Sequence, residues 1–235
     1  MMKNVPKIIL AIALLVANFA AGAQPSKNWD QEKIIGRRYR LPEIYRGSPY
    51  FIPSWQKGTV TFTTGEQVSD ILLKHDAVHD QLIYINELYH IMVQIEKSSV
   101  ASFDLKDDGT EYHFEQHYFD GLIKGNRYFQ VFHKGYVNFY GYRHAELLNC
   151  SVYKNAAGNT KNMEYQQGDH YFLYKKGAGY KKIGLRKKSL LRFFSRTQRK
   201  RVKQLMHTNH VHFKTPEEFA RALSILETNG IELNF

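Results

Sequence analysis

The chain has 235 residues, 43% hydrophobic and 23% charged, with a formal net charge of +11 and one cysteine. The apolar fraction excludes a wholly disordered chain, and Cys150, having no second cysteine to bridge, excludes a disulfide scaffold. The charge is uneven: residues 24–169 carry sixteen Lys or Arg against eighteen Asp or Glu, whereas residues 170–216 carry fourteen Lys or Arg and no acid.

Residues 1–23 read as a secretory leader. Lys3 and Lys7 precede an apolar run from Ile8 to Ala20 broken only by Asn18, and Ala21-Gly22-Ala23 supplies a small-residue cleavage site. The apolar core of such leaders is ~7–15 residues, too short to span a bilayer. Cleavage would leave Gln24 first, with no cysteine there for lipid attachment. The expected location is the periplasm or the periphery of the cell envelope, with no transmembrane segment after leader removal.

Residues 24–53 form an irregular lead-in punctuated by Pro and Gly, with one short element near Ile34-Ile35. From Trp55 the hydrophobic period becomes two. Val60 and Phe62 share a face before a turn at Gly65, Leu82 and Tyr84 alternate with Ile83 and Ile85, and the runs 88–95, 100–105 and 111–119 follow. Hairpins are predicted at Asp107-Asp108-Gly109, at Lys134-Gly135 and at Gly177-Ala178-Gly179, and the composition of Asn155–Asn162 predicts a flexible loop. Residues 54–186 are therefore expected to form an antiparallel sheet or sandwich.

Near Lys187 the period lengthens. Leu190, Leu191, Phe194, Val202, Leu205 and Met206 fall at helical spacing, with Ser195 or Thr197 as a cap. Thr215, Pro216 and Glu218 form a predicted capping box that opens a helix ending at Asn229-Gly230. The expected class is α+β, a mainly antiparallel β domain (54–186) followed by a basic subdomain (187–235) with a C-terminal pair of α-helices. The terminal "GIELNF" alternates like a barrel strand, but five residues after Gly230 fall short of the ~9–11 that a membrane strand needs.

Trp55-x-x-Gly58-Thr59-Val60, Leu72–Asp76, Leu82 with Tyr84, Ser102-Phe103, Tyr171–Tyr174 and "KKSLL" recur in an order that resembles uncharacterised secreted β-rich proteins of the Bacteroidota. The resemblance implies an exported protein and carries no catalytic residue, because the matched positions are mostly apolar or turn residues.

Three histidine clusters invite a metal or acid–base reading. In "HFEQH", His113 and His117 flank Glu115, but on a strand their backbones stand ~13 Å apart, and the order is not that of a zinc hydrolase. "HDAVHD" (75–80) falls between two strands and reads as a polar turn, and "HTNHVH" (207–212) follows a helix end, where the dipole favours histidine anyway. No nucleophile elbow or Gly-rich phosphate loop is present, and no carboxylate pair is fixed at catalytic separation. No cofactor and no metal ligand is assigned. The aromatic runs around 112–142 are expected to fill a core with one parity and cover the surface with the other.

The expected binding face consists of Lys181, Lys182, Arg186, Lys187, Lys188, Arg192, Arg196, Arg199, Lys200, Arg201 and Lys203, a stretch with no acid. Confined positive charge attracts polyanions and anionic head groups. It is also what the solvated face of two helices would carry. The expected role is a non-enzymatic exported module that contacts an anionic envelope polymer, a membrane surface or an envelope protein. A nucleic-acid partner is not expected, since export removes it. The alternative is a secreted hydrolase acting on a glycan or peptide.

Overall fold

The computed structural model describes Ile34 and residues 36–87, 89–121, 124–155 and 158–235, without the side chains of 150–162. The leader and the lead-in through residue 33 lie outside the described residues, as does the side chain of Cys150. Apart from Ile34, all described residues belong to one unit, Ile35–Phe235.

Alternating burial explains the strands. In β2 (Gln56–Phe62), Val60 and Phe62 are buried while Lys57 is exposed and Thr59 and Thr61 are half-buried. The remaining strands are β1 (Gly36–Arg38), β3 (Gln67–Asp76), β4 (Gln81–Asn86), β5 (Ile91–Ile95), β6 (Val100–Asp107), β7 (Thr110–Phe119), β8 (Gly125–His133), β9 (Asn138–Asn155), β10 (Gly158–Lys175) and β11 (Gly179–Ile183). Among the described residues they form one antiparallel sheet in the order β1-β5-β4-β3-β2-β6-β7-β8-β9-β10-β11. The β6–β7 hairpin turns on Asp108 and Gly109, both at positive φ, the combination that suits the twist of a two-residue hairpin. The short element expected near Ile34 lies slightly later, as β1.

The sheet does not lie flat. β3 and β8 are four positions apart in the sheet order, which at ~4.8 Å per strand is about 19 Å across a flat surface. Yet the ring of His75 on β3 lies 6.0 Å from that of Tyr128 on β8, and 5.3 Å from that of Phe114 on β7. The same separation divides β7 from β11, and there the rings of Phe119 and Tyr180 are 4.9 Å apart. Tyr128 and Phe129 are consecutive and both fully buried, the first against His75 and Phe103, the second against Phe119, Tyr142 and Phe172. Consecutive strand residues point to opposite faces. The sheet therefore rolls around one face from β3 to β8 in the sheet order and around the other from β7 to β11. The expectation that one aromatic parity would cover the surface is corrected accordingly, because β8 and β9 bury both.

Three helices follow: α1 (Lys187–Leu191), α2 (Arg196–Thr208) and α3 (Pro216–Thr228). They share a core with the sheet, in which Phe139, Leu173 and Ile183 meet Leu190, Phe194, Val202, Met206, Phe219 and Leu226. Phe139 and Phe219 have ring centroids 4.8 Å apart. Thirteen-residue helices are marginal alone, so burial of this stripe, at about 1.5–3 kcal/mol per large side chain, is what holds them. Thr215 caps α3 by accepting the N–H of Glu218, but the Glu218 carboxylate accepts the N–H of Lys214, at 2.6 Å, so the capping box reaches back one residue further than expected.

The loop expected over Asn155–Asn162 is corrected. The β9–β10 ladder runs on to Asn155↔Gly158, and only residues 156–157, outside the described residues, separate the strands. Asn-Gly composition located the turn but exaggerated its width.

Candidate anion-binding face

The eleven basic residues are all exposed, and they are divided between the last strand of the sheet and the helices that follow it. Lys181 and Lys182 sit on β11, the last strand of the sheet. Lys181 Nζ lies over the rings of Phe235 and Phe193, at 4.8 and 5.8 Å, on the helical side. Lys182 pairs with Phe172, whose side chain belongs to the opposite, aromatic core. Lysines on an edge strand discourage another chain from adding to the sheet. The other edge, β1, carries Arg37 and Arg38. These two lysines thus have an ordinary explanation.

The remaining nine lie on or beside the helices. Arg186 precedes α1, Lys187 and Lys188 open it, and Arg192 follows it, while α2 carries Arg196, Arg199, Lys200, Arg201 and Lys203. Among the described residues none of them lies within 4.0 Å of an acid as an ion pair. Arg199 alone has a backbone partner, donating from Nε to the Phe194 carbonyl at 3.0 Å.

Placement sharpens the point. The positive end of a helix dipole favours acids and disfavours cations by about 0.3–1 kcal/mol each, and like charges at i,i+4 cost roughly 0.2–0.5 kcal/mol. The first turn of α3 follows this rule with Glu217 and Glu218, whereas the first turn of α2 has no acid. Its capping box is neutral: Ser195 accepts from the Gln198 N–H, and the Gln198 side-chain oxygen accepts from the Ser195 N–H at 3.2 Å. Arg196 and Arg199 therefore stand in the first turn at a positive helix end, with Lys200 one turn from Arg196, an arrangement that disfavours the isolated helix. The exposed large apolar residues of the described chain are Leu41, Ile44, Tyr89, Tyr118, Tyr136, Leu147 and Leu148, and none lies between Lys181 and Thr208. The face is cationic without an apolar anchor.

Two of the three histidine clusters are held in side-chain networks. "HDAVHD" forms the β3–β4 turn, as expected, but His75, Asp76 and Asp80 are fully buried. The Asp76 carboxylate accepts from the Tyr39 hydroxyl and from His79 Nδ1, both at 2.8 Å, and from the N–H groups of Val78 and His79. The Asp80 carboxylate takes His75 Nε2 at 3.2 Å, Lys97 Nζ at 2.5 Å and the Tyr128 N–H at 3.3 Å. Burial pushes the Asp80 carboxyl upward, but the His75 hydrogen bond and the Lys97 charge outweigh it and hold the group below the usual carboxylate range.

"HFEQH" contains a network that backbone spacing concealed. His113, Glu115 and His117 share one face of β7, and both imidazoles reach Glu115, at 3.4 and 3.2 Å. Lys134 pairs with the same carboxylate, and His113 Nδ1 meets Asp104 at 2.6 Å. Hydrogen bonds that the imidazole donates to Asp104 and Glu115 raise His113 to about 9, and those that Glu115 accepts from His113 and His117 hold it far below its ordinary value. The alternation of 113, 115 and 117 was the available signal. Both carboxylates bond to imidazole, so the arrangement is a hydrogen-bonded network of carboxylates and imidazoles. His207, His210 and His212 are exposed. Among the described residues no group of three His, Cys, Asp or Glu is placed to hold a metal ion.

A cavity of about 360 Å³ lies against the lead-in, lined by Leu41, Glu43, Ile44, Tyr45, Tyr50 and Tyr165 among others. Glu43 is its one carboxylate, and the Tyr45 hydroxyl bonds to it, so this cavity brings no acid–base pair together. No helix of the described residues is long and apolar enough to cross a membrane. No protein-family model, no curated protein and no solved structure matches the chain.

Proposed function

We propose that the chain is an exported, non-enzymatic binding module of the cell envelope, which holds an anionic envelope component through the cations of α1 and α2. One observation carries the reading: nine exposed cations, none ion-paired to an acid among the described residues, with two of them in the first turn of α2, where helix stability favours acids. Export rests on the leader pattern of residues 1–23 and on the resemblance to secreted β-rich proteins.

The test is retention of the purified protein on envelope fractions and on immobilised polyanions at low and high salt. Exposed charge contacts are screened over ~8 Å at physiological ionic strength, so the bound protein should elute as salt rises. No retention at low salt, or retention indifferent to salt, would overturn the reading.

A further inference from the structure

The cations of α2 are not spread evenly around the helix. At 3.6 residues per turn, Arg196, Lys200, Lys203 and His207 fall within roughly 60° of one another about the axis, and all four are exposed. Over eleven residues this stripe runs about 16 Å along the helix. Val202 and Met206, centred about 110° of rotation from the middle of the stripe, are buried in the core shared with the sheet. Arg199, also exposed, flanks the stripe about 40° beyond Lys203 on the side of the core, with its Nε held by the Phe194 carbonyl, and Arg201 is exposed about 100° of rotation from Lys200, outside the stripe. No acid occurs from residue 170 to 216, so no acidic neighbour on the helix interrupts the row.

A narrow row of cations matches a line of anions better than a plane of them. A helix that docks on a bilayer presents an apolar face to the lipid, whereas here the apolar face is covered by the protein's own core and no large exposed hydrophobic accompanies the cations. Resting on the anion-binding reading above, we infer that the ligand is a linear polyanion laid along the axis of α2. Its successive charged groups meet Arg196, Lys200 and Lys203, and His207 stands at the end of the track.

The test uses the purified protein with inorganic polyphosphate of graded chain length, and in parallel with vesicles of phosphatidylglycerol and phosphatidylcholine. Lys200→Glu and Arg201→Glu make the same change in net charge at adjacent exposed positions of one helix. On the track, Lys200→Glu should weaken polyphosphate binding about tenfold and flatten the dependence of log K on log salt by about one released ion, while Arg201→Glu should change affinity less than about threefold. Affinity should rise with chain length until the polymer spans the stripe, and Lys203→Gln should reproduce a smaller loss. Circular dichroism checks that each variant keeps its helices. Equal losses from Lys200→Glu and Arg201→Glu would overturn the track and leave the anion-binding reading standing. Binding to vesicles but not to polyphosphate would replace the polymer with a lipid surface. Binding to neither would remove both.

Discussion

The carboxylate of Asp80, on the turn after β3, accepts the backbone N–H of Tyr128 on β8 at 3.3 Å, across 48 residues of sequence. The same carboxylate holds His75 and Lys97, so a single fully buried acid ties the β3–β4 turn, the β5–β6 connection and the middle of the sheet together. Removing one partner from a buried ionic group leaves the others uncompensated, at a cost of roughly 3–5 kcal/mol. Asp80→Ala should therefore lower the urea midpoint by that equivalent with little change in m-value. A loss below about 1 kcal/mol would show that the roll of the sheet does not depend on this acid.

Gly58 in β2 sits where a side chain would meet the backbone of β6. A Cβ there would sit 2.1 Å from the Asp104 carbonyl oxygen and 2.6 Å from Leu73 Cδ1. Backbone cannot yield as a side-chain tip can, so Gly58→Ala should destabilise by about 1–3 kcal/mol through overpacking. For a chain of this size that is a Tm drop of several degrees, at roughly 2–4 °C per kcal/mol. An unchanged Tm would mean that β2 and β6 have room to separate.

The His113–Glu115 pair predicts a specific pH response. His113 is raised from 6.5 to about 9, so its contribution is complete below 6.5 and lost as pH climbs through about 9. Glu115 is depressed, so its contribution is present above 4.5 and lost as pH falls through its lowered value. The Tm difference between the parent and His113→Gln should be greatest from pH 4.5 to 6.5 and close as pH passes 9. A difference that stays constant from pH 5 to 10 would show that the imidazole acts by shape alone.

What the sequence made legible was local. Val60 and Phe62 on one face of β2, the hairpin at Asp108-Gly109 and the Thr215-Pro216 start of α3 all follow from neighbours within a few residues. The joining of His75 and Asp80 to Lys97 and Tyr128 was hidden, because it depends on the sheet rolling over itself. The burial of both Tyr128 and Phe129 was hidden for the same reason, since period-two alternation assumes one wet face. The basic stretch was legible as charge. Its division between edge lysines and a helical stripe required knowing that β11 ends the sheet and which side of α2 faces the core.

That division exposes a conflict between stability and binding. Arg196 is the first residue of α2, exposed, with the positive end of the helix dipole beside it and Lys200 one turn on. Replacing it by Glu removes an unfavourable charge at that end and adds a favourable one, worth about 0.3–1 kcal/mol for each interaction at low salt. It also converts a like-charged i,i+4 pair into an attractive one. Arg196→Glu should therefore raise Tm slightly at low ionic strength while weakening retention on polyanions. Differential scanning calorimetry and a salt-elution profile on one preparation give both readouts. A variant that binds as tightly as the parent would mean that Arg196 is not part of the contact. One that binds less and also melts earlier would mean that the cation serves the fold, and the argument from helix polarity would fall.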